Sequence, residues 1–454
     1  MHAGSGMTET ISQPTQSPRK QESFVKVFGG VGAMSFLTYA GEYASFIIVL
    51  VFLSDKFVST FGLGTFGYAF VGLISGAFLI ASGLVAIVMG HLSDKYGRRR
   101  IMIMGCLLGA AALLSLVVAN NLTQLAPFAV ATAISLVALG MAHGTYTAST
   151  LAYGGDLAEK HSMMGKAYGL VDGAEFAGYA FGPALGTTVA FYINRTTVFE
   201  MSTVMLLISA GLAVVFMPEI RSASRASALE HHDDDMMPGG HPDEAWHEEI
   251  HSHSASWGDY VNAFRTPIVG VALLTTVVGA IGFSAFFSFV PLYAHTLQTV
   301  VPAFALFYGY FGSIMAVTGV LFMVPFGHYE DRSKRRMPYL VAGLIGCAAS
   351  LALVFFTATL PTFLIAAVAF GLSVGMVRVS QLVILAEASN TSNRAAIMGT
   401  NHALEHVGYG MAAVLVGALV AVFKSFSSAF QFLSFILIIA GLAFLLYARY
   451  AKVK

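Results

Sequence analysis

Residues 90–100 read GHLSDKYGRRR, and residues 327–337 read GHYEDRSKRRM. Each stretch follows a long apolar run, and the two share a glycine, a histidine, an aspartate and a pair of arginines at a constant offset of 237 residues. The matching positions are Gly90, His91, Asp94, Arg98 and Arg99 with Gly327, His328, Asp331, Arg335 and Arg336. Such an internal repeat predicts a chain built from two similar halves.

Two further matches keep the same order along the chain. Residues 169–179 read GLVDGAEFAGY and residues 399–409 read GTNHALEHVGY, which aligns Glu175 with Glu405 and Asp172 with His402. The other match pairs Gly140, Gly144, Ser149 and Asp156 with Gly371, Gly375, Ser380 and Glu387. Three repeated segments in one order indicate an ancient duplication of a whole half.

The composition places the chain in a membrane. Of its 454 residues, 56% are hydrophobic and only 11% are charged, whereas soluble domains carry roughly 25% charged residues. A helix needs about 20 apolar residues to cross a bilayer, and polar breaks leave twelve such runs. They are roughly residues 28–53, 64–90, 101–119, 126–153, 166–192, 198–217, 266–294, 303–327, 338–357, 361–386, 395–422 and 427–448. The predicted fold class is therefore an all-α membrane protein with twelve spans in two six-helix halves.

Charge and polarity set the predicted organisation. Outside the spans, only Lys56, Arg195 and Lys424 lie on one side, and the remaining Lys and Arg residues lie on the other, which predicts that both termini are cytoplasmic. No cleavable signal peptide is expected, because the N-terminal residues lack an apolar core. The predicted parts are a disordered cytoplasmic tail (1–27), the N-terminal half (28–217), a cytoplasmic His- and acid-rich loop with a short interfacial helix (218–262), the C-terminal half (263–449) and a cytoplasmic tail (450–454).

The repeated loop carries a resemblance to a known family. The stretch at 90–99 matches the signature that joins spans 2 and 3 in the major facilitator superfamily, and its copy at 327–336 has Lys334 in place of the second glycine. The chain therefore resembles a member of that superfamily over nearly its whole length. This resemblance implies a secondary transporter that works by alternating access. It also implies a charge network that latches the two halves, with the simpler alternative that the arginines only set topology. The latch residues are Gly90, Asp94, Gly97, Arg98, Arg99, Asp156, Asp331 and Arg335.

Span 5 contains a second family-like motif. Residues 178–187, GYAFGPALGT, are similar to a motif of proton-coupled antiporters, with Thr187 in place of the last glycine. The motif positions are Gly178, Gly182, Pro183 and Gly186. Gly140 stands where many proton-coupled members carry an arginine, so a mechanism that uses that arginine is not expected here.

Ionisable residues within the spans form the candidate site. They are costly in lipid and usually functional, so we expect them to face a cavity or one another in a polar belt. With neutral histidines the belt has four carboxylates and one arginine, which favours cations or protons over anions. Arg378 is expected to act as counter-ion to one of the carboxylates. The candidate transport and proton-coupling residues are Glu42, His143, Asp172, Glu175, Arg378, His402, Glu405 and His406.

The sequence HALEH at 402–406 also fits the H-x-x-E-H pattern of zinc peptidases. A peptidase needs a third ligand and a catalytic water, and the repeat shows that this segment has a twin in span 5. The chain is therefore not predicted to be an enzyme, and a membrane metalloenzyme is kept as a remote alternative. A purely structural role for His402 and His406, in which they satisfy Glu405, is a further alternative.

The central loop is rich in potential metal ligands. Residues 230–254 combine histidines, carboxylates and methionines, which suit a loosely bound divalent transition metal; a solvated acidic linker is the alternative. The candidate ligands are His231, His232, His241, His247, His251 and His253. No other cofactor is expected.

These observations predict proton-coupled efflux of a small neutral or cationic compound across the inner cell membrane. A divalent-metal carrier and a metabolite–proton symporter are the alternatives within transport. The expected partners are a small-molecule substrate, protons and the bilayer. The zero net charge gives no case for nucleic acid, and the chain is expected to be a monomer.

Overall fold

The computed structural model describes residues 18–161, 164–219, 267–333, 336–356, 358–388 and 394–450. Within these ranges the chain forms twelve long helices. The six helices of the first half are α1 (Pro18–Ser54), α2 (Gly67–Tyr96), α3 (Arg98–Ala119), α4 (Leu125–His161), α5 (Met164–Tyr192) and α6 (Arg195–Phe216).

The second half follows after residue 266. Its first helix, α7, consists of Pro267–Ser284, a π-helical turn at Ala285–Phe289 and Val290–Thr296, and a short helix, Phe304–Phe307, comes after it. The remaining helices are α8 (Tyr310–Ser333), α9 (Met337–Phe356), α10 (Leu360–Ala388), α11 (Arg394–Phe423) and α12 (Phe426–Tyr450).

Eleven of the described helical segments are long and apolar enough to cross a membrane. The helix outside this set is α5, which contains Glu175, Pro183 and several glycines that lower its hydropathy. Its 29 residues give a length of about 44 Å, which exceeds the roughly 30 Å of a hydrocarbon core. The all-helical membrane fold predicted from the sequence is confirmed.

The start of α1 differs from the prediction. The helix begins at Pro18, so residues 18–27 are helical although the sequence analysis assigned them to a disordered tail. Proline is favoured in the first turn of a helix, where its missing N–H has no partner to lose. No glycine or proline interrupts the following ten residues, so the helix continues directly into the span.

The two halves meet along small residues. A Cβ on Gly76 of α2 would lie 2.6 Å from the carbonyl oxygen of Gly410 of α11, and one on Gly72 would lie 3.0 Å from Cα of Gly417. On the other side of the interface, a Cβ on Gly309 would lie 2.6 Å from the carbonyl oxygen of Pro183. Backbones this close leave no room for larger side chains.

The bundle has two ends. At the Asp55 end, Asp55 follows the last residue of α1, and at the Gly97 end, Gly97 joins α2 to α3. Gly97 has a φ of 100°, a backbone conformation that glycine adopts without strain. Gly90 lies two helical turns before Gly97 on α2. No atom of the described residues lies within 4 Å of the position a Cβ on Gly90 would take, so the described helices do not require a glycine there.

Candidate functional site

A cavity lies between the two halves, and the space inside it, including the part that is open to solvent, is about 1070 Å³. Its walls come from both halves and are mostly apolar, with many aromatic rings, and its charged and histidine side chains are grouped on α5, α10 and α11. The aromatic lining residues are Tyr43, Phe46, Phe78, Phe176, Tyr179, Phe283, Phe287 and Tyr409. A pocket with apolar walls and a few convergent polar groups is the usual form of a small-molecule site.

The aromatic walls form a continuous chain of rings across the interface. Tyr43 and Tyr179 of the first half have ring centroids 3.8 Å apart. Tyr43 reaches Phe287 of the second half at 5.7 Å, and Phe283 stacks on Tyr409 at 4.6 Å. The π-helical turn of α7 contains Phe287, and such turns are common at functional sites.

An ion pair lies in the wall of the cavity. Arg378 of α10 pairs with Glu405 of α11, and these side chains are 29% and 11% exposed. The hydroxyl of Tyr409 donates to Oε1 of Glu405 at 2.5 Å, one helical turn further along α11. The expected role of Arg378 as a counter-ion to a carboxylate is thus present in the structure, and the partner is Glu405.

The other predicted residues on these helices also line the cavity. His402 and His406 have ring centroids 4.7 Å apart on the same face of α11 as Glu405, and Glu175 of α5 faces the same space. The side chain of Asp172 lies outside the described residues. The described lining therefore has two carboxylates and one guanidinium, and its formal charge is negative when the histidines are neutral.

A second polar group lies beneath the cavity wall and is closed to solvent. Glu42 of α1 is 0% exposed and His143 of α4 is 2% exposed. Nδ1 of His143 lies 2.8 Å from both carboxylate oxygens of Glu42, and the hydroxyl of Tyr146 donates to the same carboxylate. Neither Glu42 nor His143 lines the cavity, so these two residues face one another rather than the open space.

The two groups meet through the histidines. The ring of His143 in the first half lies 5.3 Å from the ring of His406 in the second half, centroid to centroid. Nδ1 of His406 is 3.3 Å from Oγ of Ser82 on α2, a further contact between the halves. Of the eight predicted residues, the seven with described side chains therefore form one connected region.

Sequence reasoning missed a group of polar side chains that joins α7 to α10 and α11, the two helices that carry the ion pair. Thr276 donates to Oδ1 of Asn401 at 2.6 Å, and the amide of Gln381 contacts the Thr276 hydroxyl. Gln381 follows Arg378 by three positions and Asn401 precedes Glu405 by four, so each lies on the same helix face as its ionisable neighbour. That spacing was the available signal, and it applies equally to Tyr146, three positions after His143.

The structure does not assemble a metal site from the HALEH segment. Within the described ranges, no three His, Cys, Asp or Glu side chains are grouped in a way that could hold a metal ion. Glu405 binds Arg378 and Tyr409 rather than the histidines. The six candidate histidine ligands of the central loop, from His231 to His253, lie outside the described residues.

The predicted latch is described only in part. Arg98 is buried, and Arg99 donates from Nη2 to the carbonyl oxygen of Val214 at 2.7 Å. In the second half, Arg336 pairs with Glu387 at 2.9 Å, and Glu387 is the repeat partner of Asp156. The side chains of Asp94, Asp156 and Asp331 and the whole of Arg335 lie outside the described part of the chain.

The span 5 motif lies where α5 meets both α1 and α8. A Cβ on Gly178 would lie 2.6 Å from Cβ of Tyr39, and one on Gly182 would lie 2.6 Å from the carbonyl oxygen of Ala40. Gly186 faces Ala44 in the same way, and the carbonyl of Pro183 faces Gly309 of the other half. The motif therefore sets the distance between α5 and its two neighbours.

Twelve long helices in two halves around a central cavity are the architecture of many secondary transporters. The family model of the Major Facilitator Superfamily matches residues 31–322 and 303–454. The chain belongs to this superfamily and is an integral membrane transporter. No curated protein matches the sequence.

Solved structures share the fold at low sequence identity. The nucleoside transporter NupG superimposes with a TM-score of 0.71 at 13% identity, over 92% of this chain and 98% of that chain. A D-xylose-proton symporter gives 0.67 at 17% identity, over 93% and 96%. The peptide transporter POT in complex with sulfate gives 0.65 at 15% identity, over 94% of each chain.

Proposed function

We propose that this protein is a proton-coupled transporter that exports a small neutral or cationic compound with a large apolar surface. The observation that carries the proposal is the composition of the cavity between the halves. Its described lining combines many aromatic rings with Glu175, Glu405 and a single guanidinium. A site of this kind attracts protons and organic cations and repels anions.

The aromatic walls indicate the chemical class of the substrate. Rings of tyrosine and phenylalanine bind flat apolar groups by stacking and attract cations through their π faces. A planar aromatic cation would stack on the aromatic walls and would be attracted by the negative charge of the lining.

Competition for the carboxylates gives a mechanism for exchange. A carboxylate in the cavity is neutralised either by a proton or by the positive charge of the substrate. Because both bind the same group, loading one releases the other, and alternating access carries them in opposite directions. The resemblance of 178–187 to the motif of proton-coupled antiporters supports this direction of transport.

The test uses ethidium, a planar aromatic cation, with purified protein in proteoliposomes. An imposed proton gradient is expected to drive ethidium against its own gradient, and ethidium is expected to move protons when no pH gradient is present. Glu175→Gln and Glu405→Gln are expected to remove both fluxes while the protein remains inserted. Glu200→Gln is the matched control, because Glu200 is an exposed residue of α6. Equal fluxes in all variants would contradict the proposal.

A metabolite–proton symporter is the second candidate, and Arg378 is the observation that favours it. Its side chain is 29% exposed toward the cavity, and protonation of Glu405 would free the guanidinium for an anionic substrate. Structures with this fold include a D-xylose-proton symporter. Concentrative uptake of an organic acid, without ethidium export, would decide for this candidate.

A further inference from the structure

We propose that Glu42 and His143 form a proton-binding site separate from the substrate cavity, and that His406 connects the two. This inference rests on the proposed proton coupling and assigns it a location. The cavity carboxylates bind the substrate and protons in turn. The buried pair exchanges protons with them through His406, so that it holds a proton when the cavity carries no substrate.

Burial separates the pair from the substrate. Glu42 is 0% exposed and His143 is 2% exposed, and neither lines the cavity. A compound in the cavity therefore does not touch the Glu42 carboxylate, whereas a proton can reach it by transfer between neighbouring groups. A buried carboxylate with two donors, the His143 ring and the Tyr146 hydroxyl, is held in one position for that transfer.

The two ring nitrogens of His143 have different surroundings. Its Nδ1 faces Glu42 at 2.8 Å, while its Nε2 is buried and has no hydrogen-bond partner among the described atoms. An unpartnered nitrogen in a buried site costs free energy, so its retention favours a functional role. The nearest ring from the other half is His406, at 5.3 Å.

His406 belongs to both environments. It lines the cavity together with His402 and Glu405, and it contacts the first half through Ser82 and His143. It is therefore positioned to pass a proton from the cavity to the buried pair. The other titratable groups around the pair and His406 are Tyr39 and Tyr43 of α1, Cys106 of α3, Tyr146 of α4, Glu175 and Tyr179 of α5, Arg378 of α10, and His402, Glu405 and Tyr409 of α11.

The transfer can be written with its atoms balanced. A proton from His406 binds Nε2 of neutral His143, which becomes an imidazolium. The Nδ1–H bond then breaks and that proton binds an oxygen of Glu42, leaving His143 neutral with its hydrogen on Nε2. The net result is one proton moved from the cavity wall to Glu42, and the reverse sequence releases it.

The position of the junction ties proton exchange to conformation. His143 belongs to the first half and His406 to the second, so movement of one half against the other separates the rings. The pair then exchanges protons with the cavity only while α2 and α4 stay close to α11. This arrangement keeps a stored proton in place while the halves move.

The experiment measures proton binding without a substrate. Protein reconstituted in lipid is taken from about pH 8 to about pH 5, and infrared difference spectra record the carbonyl stretch of newly protonated carboxyl groups. One carbonyl component is expected to disappear in Glu42→Gln and to persist in the control Glu200→Gln. Survival of the full signal in Glu42→Gln would overturn the proposal.

The connection through His406 is tested by rate. After a rapid pH change, the Glu42 component is expected to appear about a hundredfold more slowly in His406→Gln, the lower end of the contribution of a positioned proton-transfer group. His91→Gln is the control, since His91 is an exposed histidine of α2 that does not line the cavity. Equal rates in these two variants would remove His406 from the path.

A milder variant covers the case in which Glu42→Gln does not fold. Tyr146→Phe removes one donor to Glu42, so the carbonyl component is expected to move to higher frequency in an otherwise intact protein. An unmoved component would show that it does not arise from Glu42. These spectra contain no ethidium, so failure of ethidium transport would reject the proposed substrate class and leave the proton site standing.

Discussion

The guanidinium of Arg378 pairs with the carboxylate of Glu405 across two neighbouring helices of the second half. Both residues lie in the wall of the central cavity. Ion pairs in apolar surroundings contribute little net stability, because removing two charges from water costs about as much as their attraction returns. We therefore attribute the pair to transport rather than to the stability of the fold. Loss of the pair is expected to affect stability and transport separately.

The first prediction separates these effects with a double-mutant cycle. Arg378→Gln leaves Glu405 charged without its partner, and Glu405→Gln does the same to Arg378. Each single variant is expected to lower the free energy of unfolding in mixed micelles by about 1–3 kcal/mol. The double variant is expected to lose less than the sum of the two single losses, while all three lose proton-coupled ethidium transport. Strict additivity of the losses would show that the two residues do not interact.

The second prediction concerns the glycine contact between α2 and α11. Gly76→Val places methyl groups where the carbonyl of Gly410 lies 2.6 Å from the Cβ position. Overpacking of this kind is expected to cost about 1–3 kcal/mol and to increase the distance between spin labels at Phe66 and Val422, one in each half. Gly211→Val is the control, because no described atom lies within 4 Å of its Cβ position. An unchanged label distance in Gly76→Val would contradict the contact.

The third prediction concerns the Asp55 end. Arg195 donates to Asp55 at 2.5 Å and lies 3.3 Å from Nε2 of His295, so it joins the first half to α7. Arg195→Gln is expected to favour separation of the halves at this end by about two- to fivefold, as befits a partly exposed pair. Spin labels at Phe66 and Val300 report the change.

The control for that measurement is Lys56→Gln. Lys56 donates to the carbonyl of Asn120 at 3.0 Å, a contact within the first half. Labelling is selective because the two native cysteines, Cys106 and Cys347, are buried. Equal distance distributions for the Arg195 and Lys56 variants would show that Arg195 does not hold this end together.

The fourth prediction separates the central loop from transport. Deletion of residues 230–254 is expected to remove weak Ni²⁺ and Zn²⁺ binding, measured by titration calorimetry, because the histidine cluster is deleted. Proton-driven ethidium flux is expected to stay at the wild-type level. Loss of flux would show that the loop takes part in transport, and metal binding that survives the deletion would show that the loop histidines are not the ligands.

The order of the helices and their grouping in two halves could be predicted from the sequence because both depend on patterns along the chain. The shared face of His402, Glu405 and Tyr409 follows from helical spacing in the same way. The partner of Arg378 could not be chosen, since spacing gives the face of a helix but not the neighbour that it meets.

The same limit explains what was missed. Glu42 and His143 were both predicted to be functional, yet nothing in the sequence indicates that they meet each other beneath the cavity wall rather than in it. In the sequence, Tyr146 is one aromatic residue among small ones. Only the packing of α1 against α4 shows that it contacts Glu42. Pairings between helices depend on rotation and crossing angle, which a single sequence does not reveal.

The glycine contact of α2 with α11 has a consequence for the speed of the cycle. Main-chain atoms rather than long side chains form much of this contact. When one half slides against the other, few side chains gain or lose rotamers. The conformational entropy of the side chains therefore changes little. The free-energy barrier between the two access states then depends mainly on the charged groups in the interior. Whether those groups carry a proton or a substrate can therefore control when the two halves move.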